Sequence, residues 1–249
     1  MGSIKTDTLI CLDCETTGLD PENDEIIELA IVKFTLECEI SSLDTLIDPK
    51  RPIPAESTGI HHICDEMVKG KPHIEDVLDQ ATALIGKYPI MGHNVSFDIK
   101  IIEAALRRHN HSKSLISNPV IDTLRLARLY GEAPKNSLEV LREHFNIPEE
   151  GAHRAMNDVI VNIKVFERLA YGFTTTEEML KRLSKPIAMK MFPFGKYRGM
   201  LFREIPIDYL HWAGHQNFDE DLLFSINIER KRRKKQTPFF ESSNPFKDL

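Results

Sequence analysis

The stretch L-I-C-L-D-C-E-T-T-G, residues 9–18, decides how the rest of the chain is read. Apolar residues dominate up to Asp13, and the Thr-Thr-Gly that follows is turn chemistry, so the pattern predicts a buried strand running into a turn. Successive side chains on a strand point to opposite faces, which sets Asp13 and Glu15 on one face, two positions apart. Two carboxylates leaving an apolar strand together are costly unless something neutralises them, and a divalent cation can do so. Taken alone, the pair also reads as two solvated acids at a strand end.

Two further segments repeat the theme. In I-M-G-H-N-V-S-F-D-I-K, residues 90–100, a short apolar strand breaks at Gly92-His93-Asn94 and gives way to a helix. Ile99, Ile102 and Leu106 recur at helical spacing, which places Asp98 near the helix start, where the helix dipole favours a carboxylate. A first-turn Asp is also common for purely local reasons. In H-R-A-M-N-D-V-I-V-N-I-K-V-F, residues 153–166, a helix opens with Met156, Ile160, Ile163 and Phe166 as its expected buried stripe. Five residues along a helix turn through roughly 140°, so His153 and Asp158 cannot both be helical and face one ligand. His153 is therefore expected on the loop before the helix, over the site that Asp158 enters.

In order, D-x-E with T-T-G, then H-N-x-x-F-D, then H-x-A-x-x-D, the chain resembles the DEDD superfamily of 3′-to-5′ exonucleases over residues 8 to about 170. Arg154 stands four before Asp158 where the tyrosine branch has its tyrosine, so the resemblance is to the histidine branch, DEDDh. It implies an α/β fold: a ribonuclease H-like mixed five-stranded sheet flanked by helices. It also implies a catalytic set of Asp13, Glu15, Asp98, His153 and Asp158. The four acids would hold two Mg²⁺ or Mn²⁺ ions per active site, about 3.5–4 Å apart. Asp13 would bridge both ions, Glu15 and Asp158 would bind the nucleophile-side ion, and Asp98 would act through water on the second. His153, with an ordinary pKa near 6.5, would take the proton of the attacking water. Thr16, Thr17, Gly18, Asn94 and Phe97 fall in the substrate-binding motifs. The I-H-x-I stretch implies that Ile60 wedges beside the last base and His61 holds the terminal sugar or phosphate; by themselves these two read equally well as core and loop residues.

Composition fits that class. At 249 residues and 41% hydrophobic content the chain can bury a proper core, as one large domain or as a domain with an appendage. No run of about 18 apolar residues occurs, and Met-Gly-Ser-Ile-Lys-Thr-Asp lacks a signal-peptide core, so cytoplasmic residence is expected. Cys11 and Cys14 would lie on opposite faces of one strand, unlike a redox or zinc pair. The formal net charge of −6 argues at first against a polyanionic partner. Its distribution argues otherwise, since residues 185–235 carry 11 Lys and Arg against 6 Asp and Glu. A basic surface appended to an acidic catalytic half suits a nuclease, although Arg230–Lys235 also reads as an ordinary solvated helix end.

Elsewhere, residues 26–36 and 39–47 read as a strand hairpin, and Pro49, Pro52 and Pro54 as an extended crossing. Helices are expected near 74–86, 97–109, 122–130, 137–145 and 154–171, with a short strand near 119–121. Boundaries are expected at 1–175 for the exonuclease domain, 176–235 for a small basic α+β module and 236–249 for a flexible tail. Within the module, M-F-P-F-G-K-Y-R-G-M (191–200) reads as a hairpin presenting Lys196 and Arg198 to phosphates, with Tyr209 and Trp212 at helical spacing behind it. This element is similar to the C-terminal module of the exodeoxyribonuclease X group, ahead of the epsilon proofreading subunits of DNA polymerase III. The tail peptide Gln236-Thr-Pro-Phe-Phe240 resembles the Gln-x-x-hydrophobic-Phe peptides that bind bacterial sliding clamps, so a clamp or DNA polymerase is a candidate partner beside DNA. What the resemblance implies is DNA hydrolysis from the 3′ end to 5′-mononucleotides, in repair or proofreading. An RNA 3′-end trimmer shares all five residues. A catalytically silent clamp or polymerase adaptor does not need the complete set.

Overall fold

Leu9–Thr16 forms the central strand, β1, because every residue from Leu9 to Leu12 can be buried on both faces of a sheet. The computed structural model describes residues 3–130, 133, 135–148 and 154–236. Strand β2 (Ile26–Phe34) runs antiparallel to β1, and β3 (Glu39–Leu46) antiparallel to β2. Three helices then carry the chain back: α1 (Ala55–His61), α2 (Asp65–Val68) and α3 (Ile74–Ile85). Strand β4 (Ile90–Gly92) adds to the other side of β1 in parallel. Helix α4 (Ser96–Arg108) leads to β5 (Val120–Asp122), parallel to β4. The sheet order is β3-β2-β1-β4-β5, the mixed five-stranded sheet expected of the fold class. Helices α5 (Thr123–Tyr130), α6 (Leu138–His144), α7 (Ala155–Leu169) and α8 (Thr176–Leu183) complete this unit.

The alternation of β1 divides the two faces. Ile10, Leu12 and Cys14 pack with Leu29 and Ile31 of β2 into the large core that includes Val77, Leu78 and Ala81 of α3 and Ile101, Ile102 and Ala105 of α4. Cys11, Asp13 and Glu15 take the opposite face, where α7 lies: the Cys11 thiol donates to the Val159 carbonyl at 3.8 Å, and the Phe34 and Phe166 rings meet edge to face at 6.5 Å. The expected stripe on α7 is displaced. Ala155, Val159, Asn162, Val165, Phe166 and Leu169 are buried, whereas Met156, Ile160 and Ile163 are half-buried. The helix packs on β1 and β2 with one side and on α5 and α6 with another, so two faces are covered and periodicity alone does not separate them.

The chain divides into two compact units, residues 1–185 and 186–249. Helix α8, expected from sequence to open the second module, belongs to the first unit: the Thr176 amide donates to Asp7 at 3.4 Å and Arg125 donates to the Leu183 carbonyl at 2.6 Å. The observed boundary therefore falls ten residues later than 175/176. In the second unit, α9 (Ile207–Ala213) and the N-terminal half of α10 (Glu220–Gln236) close over Phe192, Phe202, Ile205, Leu210, Leu222 and Ile226. The expected hairpin is a tight loop instead. One bridge joins Met191 to Leu201, and the Phe192 and Gly199 amides close the loop on Met200 and Phe192 at 2.9 and 2.8 Å. Gly195 and Gly199 have φ of 64° and 79°, where a β-carbon would strain the turn. Residues 237–249, including most of the clamp-like peptide, lie outside the described residues.

Candidate active site

Asp13 stands on β1 opposite Ala30, two residues past Cys11, the last residue of β1 paired with β4. Glu15 follows on the same face. Asp158 sits in the first turn of α7, the helix that covers this face. One carboxylate oxygen from each of Asp13, Glu15 and Asp158 lies within 4.8 Å of the other two. Asp98 arrives from the first turn of α4 and accepts a hydrogen bond from the Cys14 amide at 3.0 Å, which ties it to the strand between the two acids. It lies outside the group of three yet close enough to bear on Asp13 electrostatically. His153 lies outside the described residues. It is joined by one peptide bond to Arg154, which is described.

Gathering these acids has an electrostatic cost. Burial, then the charges of Asp98, Asp158, Glu15 and Glu28, hold the Asp13 carboxyl well above its ordinary range. Burial and the Asp158 charge push Glu15 up to about 7. Burial pushes Asp98 up to about 7 against the hydrogen bonds it accepts from backbone amides. Hard oxygen donors on rigid elements, with Asp13, Glu15 and Asp98 resisting ionisation chiefly because they are buried, are the donor set a divalent cation requires.

Arg154, whose charge bears on Glu15, is already engaged. Arg154 donates from Nε to both oxygens of Glu28, at 3.0 and 3.2 Å, and the Ala155 amide donates to the same carboxylate at 3.0 Å. Glu28 is 1% exposed and pairs with Glu15 across β1 and β2. Sequence reasoning missed this pair. Glu28 sits inside the apolar run I-I-E-L-A-I-V, and an isolated acid in such a run was the available signal.

A family model described as an exonuclease matches residues 10–166 of this chain. The chain belongs to the DEDDh 3′-to-5′ exonuclease superfamily. Among relatives of this chain, the DNA polymerase III subunit epsilon of Aquifex aeolicus is 33% identical over 184 residues, covering 72% of this chain and 90% of the relative. The PolC-type DNA polymerase III of Clostridium perfringens is 35% identical over 173 residues, and the chain spans only 12% of that protein's length. A structure of exonuclease X in complex with 5′ overhanging duplex DNA matches with a TM-score of 0.55 at 27% identity, over 70% of this chain and 98% of that one. Exonuclease I of E. coli, in complex with a dA16 oligonucleotide, shares the fold at 21% identity and a TM-score of 0.61, over 72% of this chain and 43% of that one. A second family model, described as a quorum-sensing-regulated virulence factor, matches residues 178–224.

The remaining motif residues of the chain divide into accessible and internal. Ile60, in α1, is 63% exposed. His61 is buried, accepts the Ile63 amide at Nδ1 (3.0 Å), and has its pKa held below the ordinary imidazole value by burial. Thr17 is buried: its hydroxyl donates to Asp24 at 2.8 Å and accepts the Glu25 amide at 3.0 Å. The Thr16 hydroxyl donates to the Gly18 carbonyl at 2.6 Å. A β-carbon on Gly18 would stand 2.4 Å from the Asp24 carboxylate. These three residues therefore shape the loop around 17–25. Asn94 adopts φ of 62° and donates its amide to Asp122 at 3.0 Å, while Phe97 packs half-buried on the main core. Lys196 and Arg198 are exposed on the glycine-flanked loop of the second unit.

Proposed function

We propose that this chain is a divalent-metal-dependent 3′-to-5′ exonuclease that hydrolyses DNA from the 3′ end and releases 5′-mononucleotides. The observation that carries the reading is the convergence of Asp13, Glu15 and Asp158 within 4.8 Å, with Asp98 bound to the strand between them. Asp13, Glu15 and Asp158 would hold Mg²⁺ or Mn²⁺ directly, and Asp98 would support the site from the α4 side. Bound there, the ions would supply Lewis-acid polarisation of the phosphodiester and a more acidic water.

The chain's own side chains supply the rest. His153 accepts the proton of the attacking water; Glu28 and Arg154 fix the backbone immediately after it. Ile60 offers an apolar edge to the 3′-terminal base, and the Thr16-Thr17-Gly18 loop shapes that wall. Lys196 and Arg198 contact backbone phosphates of the substrate. The DNA substrate is supported by the relatives, which include DNA polymerase III subunits and a DNA-bound exonuclease X. The same relatives support a proposed role in repair or proofreading. Among the described residues no helix is long and apolar enough to cross a membrane.

The test is side-by-side digestion of 3′- and 5′-labelled single-stranded DNA, duplex DNA and RNA with Mg²⁺, Mn²⁺ or chelator. Metal-dependent release of mononucleotides from DNA 3′ ends is the expected result. Faster loss of RNA would reassign the substrate, and no hydrolysis of any of them would overturn the reading.

A further inference from the structure

The second unit carries more aromatic surface than its core uses. Phe192 and Phe202 are buried and supply the interior. From Phe192 a chain of ring contacts runs outward: Tyr209 at 5.7 Å, then Tyr197 at 4.6 Å and Trp212 at 5.2 Å from Tyr209. Tyr209 and Trp212 are three apart on α9 and so share one helix face. The chain ends in water, for Trp212 is 53% exposed. An indole braced from behind by a half-buried tyrosine loses little side-chain freedom when a flat partner stacks on it.

Cations are placed beside this face. Lys196 Nζ stands 5.4 Å from the centre of the Tyr197 ring, and Arg198 follows on the same loop. The described part of the unit, residues 186–236, carries ten Lys and Arg against six Asp and Glu. Part of this charge is structural: Arg232 and Arg233 pair with the buried Glu229, and Arg233 also donates to the Phe202 and Ile205 carbonyls. Lys196 and Arg198 are placed differently, on a loop whose Gly195 and Gly199 have open space around them.

We propose that the Tyr197–Tyr209–Trp212 face is a binding platform for single-stranded nucleic acid, with bases stacking on Trp212 and phosphates held by Lys196 and Arg198. Rings alone would suit many apolar ligands, and cations alone any polyanion. A partner offering exposed π-faces and a regular negative backbone satisfies both, and a duplex hides its base faces. The inference rests on the nuclease reading for the class of polyanion, and it adds a site that hydrolysis does not require.

Trp212 is the chain's single tryptophan, so the platform reports on itself. The full chain carrying Asp13→Asn, in chelator, is titrated with an oligothymidylate, with an abasic oligomer of equal length and with blunt duplex. Saturable quenching of tryptophan emission by the oligothymidylate is expected, with little by the other two. In the same background Trp212→Ala should weaken oligothymidylate binding about 5- to 150-fold, measured by anisotropy, and Trp212→Phe should recover part of it. Lys196→Gln with Arg198→Gln should reduce the slope of log affinity against log salt by about 1.4, the share of two phosphates on a single strand. Circular dichroism of each variant controls for folding. Unquenched emission at saturation, equal quenching by the abasic oligomer, or unchanged affinity in a folded Trp212→Ala overturns the platform. Hydrolysis of a short labelled strand by Asp13-intact protein is scored separately, so an inactive enzyme with quenched Trp212 refutes the nuclease reading alone.

Discussion

Replacing Glu15 by Gln should stabilise the metal-free protein while abolishing its hydrolysis. In the fold the Glu15 carboxyl is raised from 4.5 to about 7 by burial and the Asp158 charge. The sign follows from proton binding. Between these values the folded state holds the proton more tightly than the unfolded chain, so stability present below 4.5 is lost as pH rises through about 7. Ionising Glu15 in the fold therefore costs about 3 kcal/mol at pH values well above both. Gln keeps the size and removes the charge, so near pH 8 the metal-free variant should be more stable by up to about 3 kcal/mol, and near pH 5 the difference should shrink. Added Mg²⁺ binds the native state and should stabilise the wild type at pH 8 far more than the variant, reversing their order. Urea unfolding followed by circular dichroism, at both pH values with chelator or Mg²⁺, measures all four quantities. A metal-free wild type whose stability is flat from about pH 5 to about pH 8, or a Gln variant less stable than wild type at the upper value, would refute the argument.

Three other outcomes follow. Arg154→Ala leaves the Glu28 carboxylate buried with one amide donor, so it should lower stability by about 3 kcal/mol and reduce kcat more than it raises KM; a Glu28→Gln, Arg154→Met double variant should lose less stability, read by urea unfolding in a double-mutant cycle. His153→Ala should lose turnover near neutral pH more than DNA affinity and flatten the acidic limb of the rate profile, because the ring is proposed to accept a proton and not to bind the strand. Removing residues 186–249 should raise KM for long DNA and flatten its salt dependence while cleavage of a short strand persists; an unchanged salt slope would remove Lys196 and Arg198 from the substrate path.

Much of the site is legible in one dimension because its signals are local. Strand alternation puts Asp13 and Glu15 on one face, and the breaks at Gly92 and before Ala155 mark where Asp98 and Asp158 begin their helices. Other features depend on neighbours that periodicity does not name. Helix α7 is covered on two sides, so its buried stripe runs through Val159 and Asn162 and not through Met156 and Ile160. Thr17 looks like a ligand-facing residue in the motif, yet a loop closing from Asp24 and Glu25 uses its hydroxyl. In the second unit the glycines were correctly read as a turn, but one bridge closes it where a hairpin was expected.

The sequence by itself determined the family to which the chain belongs and set the acids proposed to carry the chemistry on definite faces of their elements. Those properties follow from the two-residue repeat of a strand, the 3.6-residue repeat of a helix and ordered motifs. Only the tertiary structure decided that β1 lies between β2 and β4, that three carboxylates meet within 4.8 Å, and that Glu28 is neutralised by Arg154, 126 residues away. Charge is a long-range property of packed neighbours. Which acid must wait for a cation and which already has its partner is set by what the fold brings within a few ångströms.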